Sequence, residues 1–126
     1  MRVTLDTCIL KLATFSGQNN TSALVFELVR ARLIEAWTSP AILEEYAAVL
    51  ADRPDFVAEI VENCHLCYPL TELQIIRHEP DNRFLECALA ANADFIVTVN
   101  TAPGHFDRKS YQTVSVVTPG GFLNLP

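Results

Sequence analysis

Apolar positions along this chain recur with two periods, and the periods alternate. Arg2 to Leu5 is a short run ending at Asp6, which predicts a strand, with a helix starting near Cys8. The polar segment Gln18-Asn19-Asn20-Thr21-Ser22 predicts a loop supplying an N-cap. Leu24, Val25, Leu28 and Val29, with Arg32 beyond them, then follow at helical spacing. Ile34 to Trp37 predicts a second strand. Thr38-Ser39-Pro40 marks a helix start, with serine capping and proline at the first position, and Ile42, Leu43, Tyr46, Ala47 and Leu50 form its apolar stripe. Asp52-Arg53-Pro54-Asp55 breaks the chain before a short helix, Phe56 to Val61. Cys64 to Glu79 carries no clear period, and Leu73 to Ile76 fits a short strand or a helical turn.

Glu79 to Asn100 carries the strongest pattern. Pro80 and Asp81 suit a helix start, since an acid there meets the positive end of the helix dipole. Phe84, Leu85, Ala88 and Ala91 form one stripe, and Asn92 supplies a stop. Phe95 to Val99 is a nearly continuous β-branched and aromatic run, as in a strand buried on both faces. Thr101 to Ser110 predicts a loop, Val114 to Val117 a last strand, and Thr118-Pro119 a helix start before a terminal turn, Phe122 to Leu125. Strands alternating with helices predict an α/β fold with a central, mostly parallel sheet and helices on both faces, a three-layer α/β/α sandwich joined by right-handed crossovers.

Composition narrows this picture. The 126 residues are 50% apolar, with no repeat or low-complexity run, which predicts one globular domain over residues 1–126. No apolar run approaches the roughly 20 residues that span a bilayer, and MRVTLDTC reads as a strand rather than a signal peptide. Four cysteines without an export signal predict reduced thiols and a cytoplasmic location. Cys64-His65-Leu66-Cys67 invites a zinc site, but Cys8 and Cys87, beside predicted core elements, read as small hydrophobes. The net charge of −6 disfavours direct phosphate binding yet suits a protein that meets phosphates through a divalent cation, or one with a basic partner.

Polar groups collect at predicted element ends. Asp6 follows the first strand, where ligands of open α/β sheets sit; as a favoured N-cap residue it equally fits a helix cap. Glu45 lies near the apolar edge of its helix and Glu44 points outward, although both fit solvated helix acids. Asp81 opens the central helix and Asn100 ends the following strand. A parallel sheet would bring Asp6, Glu45, Asp81 and Asn100 together, as a hard cation such as Mg²⁺ requires. His65, Arg77 and His78 fit surface groups or substrate contacts. Glu86, about 140° around the helix from Asp81, is explained by a pair with Arg83 or by a functional role. His105 and Asp107 lie in the loop near the predicted site. A haloacid-dehalogenase-like phosphatase would want an aspartate where Cys8 stands, and a receiver domain would want paired acids near the first strand and a late lysine.

Four segments in this order resemble the PIN domain, the metal-dependent ribonuclease fold of the toxin half of VapBC-type toxin–antitoxin pairs. They are Leu5-Asp6-Thr7, Ser39 to Tyr46, Pro80 to Ala88, and Ile96 to Asn100, with His105-Phe106 and Val117-Thr118-Pro119 through Leu123 as further matches. The resemblance covers essentially the whole chain. It implies an endoribonuclease with Asp6, Glu45 and Asp81 as catalytic acids, and with these three and Asn100 as ligands of Mg²⁺ or Mn²⁺. Thr98, Thr7 and His105 would support the ligands or the substrate, with Glu86 and Asp107 as outlying candidates. It also implies an RNA substrate, an antitoxin partner and a homodimer. Two positions depart from the family pattern: Asn100 stands where an acid is usual, and Cys8 where an asparagine is common. The alternative is a PIN-fold module that binds RNA or a protein without cutting.

Overall fold

The computed structural model describes residues 1–17 and 19–126. Its elements, in chain order, are β1 (Arg2–Leu5), α1 (Thr7–Ala13), α2 (Thr21–Arg30), β2 (Glu35–Thr38), α3 (Pro40–Val49), α4 (Pro54–Asn63), β3 (Cys64–Leu66), α5 (Asp81–Ala90), β4 (Phe95–Val97), β5 (Ser110–Tyr111), β6 (Val114–Val117) and α6 (Pro119–Leu123). Among the described residues, six strands form one sheet in the order β3-β2-β1-β4-β6-β5. Every pairing is parallel except β5 with β6.

Both faces of the central strands are covered. Val3, Thr4 and Leu5 are all buried in succession, as are Ile96 and Val97, so the near-continuous apolar run of β4 has its expected cause. Thr4 points to Cys87 of α5, whereas Phe95, in register with Val3, meets Phe122 of α6 edge-on at 5.9 Å. Successive residues of a strand face opposite ways, so α5 and α6 lie on opposite faces and the molecule has the predicted three layers. Phe84 and Leu85 of α5 are fully buried. Each such side chain contributes about 1.5–3 kcal/mol to holding that helix on the sheet.

Local signals explain most boundaries. Asn20 caps α2 by accepting from the Ala23 N–H, and Ser39 caps α3 by accepting from Ile42 N–H. Gln18, part of the same expected loop, lies outside the described residues. Asn92, at φ 53°, ends α5 in a left-handed turn closed by Ala93 N–H to the Ala88 carbonyl.

The differences from expectation are equally local. β3 is an edge strand of three half-buried or exposed residues, with no apolar run to announce it. β5 is a two-residue strand that begins on the last residue of the expected loop; it exists because it pairs back on β6. Leu73 to Ile76 is neither strand nor helical turn but an irregular segment held by side chains of α5. β4 stops at Val97 rather than Val99, because Val99 turns to solvent beyond the sheet edge.

Candidate functional site

Strand order reverses at β1. The chain steps outward from β1 to β2 and β3, then returns to place β4 on the other side of β1. The crevice beyond the carboxyl ends of β1 and β4 is where open α/β sheets bind ligands. Asp6 and Thr98 are the first residues past those two ends, and the Asp6 N–H still reaches the Val97 carbonyl at 3.0 Å.

Asp6 occupies the N-cap position of α1, but its side chain caps nothing. The carboxylate is instead gripped by the buried Thr98 hydroxyl, which donates to Oδ2 at 2.7 Å, with the Cys8 thiol 3.4 Å away. Thr98 in turn accepts from the Asn100 N–H at 2.9 Å, so one hydroxyl ties Asp6 to the turn after β4. Burial, assisted by the Asp6 charge, pushes the Cys8 thiol up to about 11.

Glu45 is half-buried and Glu44 exposed, the asymmetry expected from their helix positions. The Thr7 hydroxyl donates to Glu45 Oε2, bridging α1 and α3. The next residue anchors this arrangement: Tyr46 is fully buried against Phe84, and its hydroxyl donates to the Leu5 carbonyl one residue before Asp6.

Asp81 lies in the first turn of α5 and is 5% exposed. Burial raises its carboxyl above the usual range, the Asp6 charge adds to the rise, and the contact with His105 opposes it. His105 Nδ1 lies 3.0 Å from both Asp81 Oδ2 and Asn100 Nδ2. That nitrogen donates to Asp81 only when protonated and accepts from Asn100 only when not, so the two contacts alternate with the imidazole's tautomer.

Among the described residues, no lysine or arginine pairs with Asp6, Glu45 or Asp81. Buried carboxylates usually have such a partner, and the set of oxygen donors without one suits a hard divalent cation. The oxygens of Asp6, Glu45 and Asp81 do not all come within 4.8 Å of one another; each acid is held by its own hydroxyl or imidazole neighbour.

The remaining candidates have other partners. Glu86 accepts from the Leu73 N–H at 2.8 Å and pairs with Arg83 at 2.9 Å, which fastens the irregular segment to α5. Asp107 is exposed and accepts from the Gly104 N–H at 3.0 Å, a turn within the loop. His65 stacks on Trp37 at 5.0 Å on the far edge strand. Cys67 faces Cys87, not Cys64, with 3.3 Å between sulfurs.

Two residues gain importance only in three dimensions. Asn82 is completely buried and accepts from the Ile75 and Ile76 N–H groups while donating to the Ile76 carbonyl. The sequence gives no signal for this role, because asparagine in the first turn of a helix is ordinary. His78, which donates its N–H to the Gly104 carbonyl, brings its ring beside His105, with centroids 4.5 Å apart. A cavity of about 200 Å³ beside this pair is lined by Ile76, Arg77, His105, Arg108 and Tyr111.

No helix among the described residues is long and apolar enough to cross a membrane. No curated protein and no solved structure matches the chain. A family model described as PIN domain matches residues 2–102, from β1 through the turn after β4. With the strand order and the acids at the switch point, that match places the chain in the PIN domain family, whose members are generally nucleases dependent on divalent metal.

Proposed function

We propose that this protein is a divalent-metal-dependent endoribonuclease and the toxin component of a type II toxin–antitoxin pair. The observation that carries the nuclease reading is the pair of buried acids at the switch point, Asp6 and Asp81, neither of which pairs with a lysine or arginine among the described residues. Asp6, Glu45 and Asp81 would hold Mg²⁺ or Mn²⁺, with the Asn100 amide as a neutral fourth donor. A bound ion would supply Lewis acidity toward a phosphodiester and lower the pKa of an attacking water. Thr98 and Thr7 fix Asp6 and Glu45 through their hydroxyls, so neither acid has to be reoriented at the moment of reaction. His105 Nδ1 lies 3.0 Å from Asp81 Oδ2, and Arg77 and Arg108, which line the adjoining cavity together with Asp107, offer charge to RNA phosphates. The toxin assignment follows from the likeness to VapBC-type toxins. It brings with it a single domain over 1–126, a cytoplasmic location, a homodimer, and an antitoxin whose basic residues suit a chain of net charge −6. Four free cysteines are consistent with a reducing compartment.

A second reading, a PIN-fold module that binds RNA or a partner protein with little or no cutting, is favoured by Asn100. Its amide brings no charge to the site, and its nitrogen is already 3.0 Å from His105. Incubation of purified protein with a panel of RNAs in Mg²⁺ or Mn²⁺ separates the two. Cleavage abolished by EDTA and by Asp6→Asn supports the nuclease. Binding without cleavage supports the module, and cleavage undiminished in Asp6→Asn removes Asp6 from the mechanism.

A further inference from the structure

We infer that His78, Asp81 and His105 form a second metal site, one that takes an imidazole-preferring transition-metal ion such as Zn²⁺ in place of the hard cation of the carboxylate set. One potential ligand atom from each residue falls within 4.8 Å of the other two, and this is the one three-ligand group of that compactness among the described residues. Its chemistry differs from that of the crevice acids. Two imidazoles and one carboxylate suit zinc and the later first-row divalent ions, whereas Mg²⁺ takes oxygen and keeps its waters.

The scaffold holds the three donors on two segments, the turn that opens α5 and the loop through Gly104. Asp81 is fixed in the first turn of α5, with its N–H on the His78 carbonyl at 3.0 Å. His78 is tied to the opposite loop by its own N–H on the Gly104 carbonyl at 2.8 Å, which sets its ring next to His105. His105 Nδ1 already points at Asp81 Oδ2. Asp81 and half-buried His105 are the fixed members, and exposed His78 has the rotational freedom to close on an ion. Three protein ligands leave a fourth position for water or substrate, the pattern of an open rather than a purely structural zinc site. The neutral Asn100 stands beside this group, so imidazole nitrogens supply the donors on the side of the crevice where no fourth acid is present.

This inference does not require that the protein cleave RNA, and its test reads binding alone. Untagged protein stripped with EDTA is titrated with ZnCl₂ by calorimetry, and the side-chain nitrogens of its three histidines are followed by NMR. The expected result is one Zn²⁺ per chain, with shifts at His78 and His105 and none at His65. His78→Gln and His105→Gln should each weaken Zn²⁺ binding at least tenfold, while Cys67→Ser leaves it unchanged. Because His78 is exposed, His78→Gln should keep the wild-type melting temperature, which separates lost binding from lost folding. Zn²⁺ affinity that survives the double histidine substitution, or that disappears in Cys67→Ser instead, overturns the assignment.

Discussion

Replacing Asn82 with alanine removes the post that holds the segment before α5. In the native protein the Asn82 carbonyl oxygen accepts from Ile75 and Ile76 N–H groups at 3.0 and 2.9 Å, and its amide donates to the Ile76 carbonyl at 2.9 Å. Ile76 is 5% exposed and Ile75 40% exposed, so water can replace the lost bond at Ile75 but reaches Ile76 poorly. Two buried groups, the N–H and C=O of Ile76, are therefore left without partners, at about 1–3 kcal/mol each. Alanine returns roughly half a kcal/mol through its better helix propensity, so the net loss is about 2–5 kcal/mol. That is a large part of the 5–15 kcal/mol typical of a whole domain, and it corresponds to a fall in Tm on the order of 10–20 °C. Urea unfolding followed by circular dichroism should show a lower midpoint at unchanged slope. Hydrogen exchange should show the Ile76 amide losing protection in native conditions while Ile96, in the central strand, keeps more. A loss below about 1 kcal/mol, or an Ile76 amide as protected as before, would refute the assignment of Asn82 as the anchor of this segment.

Other substitutions probe the crevice. Thr98→Val removes the hydroxyl that grips Asp6 and should weaken Mn²⁺ binding by roughly tenfold or more in calorimetry. Unchanged affinity would show that Asp6 needs no support. Tyr46→Phe deletes the buried bond to the Leu5 carbonyl and should cost about 1–2 kcal/mol in urea unfolding, with little effect if α3 is held by packing alone. Asp81→Asn tests the raised carboxyl in EDTA. A carboxyl whose folded value lies above its ordinary 3.8 binds more protons folded than unfolded, so its contribution to stability falls as pH rises from that value through the folded one. The variant should therefore melt higher than wild type at neutral pH, and the advantage should vanish below the ordinary carboxylate range; an equal advantage at all pH values would trace it to packing instead.

Much of the fold is written in the chain because it depends on local rules. The stripe Phe84, Leu85, Ala88 and Ala91, the asparagine stop at Asn92, and the caps Asn20 and Ser39 each act over a few residues. Strand–helix alternation then constrains the sheet through crossover handedness. What stayed illegible were elements without a pattern of their own. β3 and β5 are strands because β2 and β6 offer them backbone partners, and the segment from Leu73 to Ile76 owes its course to Asn82 and Glu86.

The candidate site divides in the same way. By itself the sequence marks Asp6 and Asp81 as acids at element ends, since charge at the end of an apolar run is visible to counting, whereas Glu45 lies inside its helix and is singled out only by the resemblance to the PIN domain. Only the tertiary structure decides which groups hold them: Thr98 for Asp6, Thr7 for Glu45, His105 for Asp81. Only it brings His78 beside His105 across 27 positions of chain, through one backbone hydrogen bond to Gly104. Such contacts arise where loops return to a sheet edge, and no periodicity in the chain encodes which loop meets which.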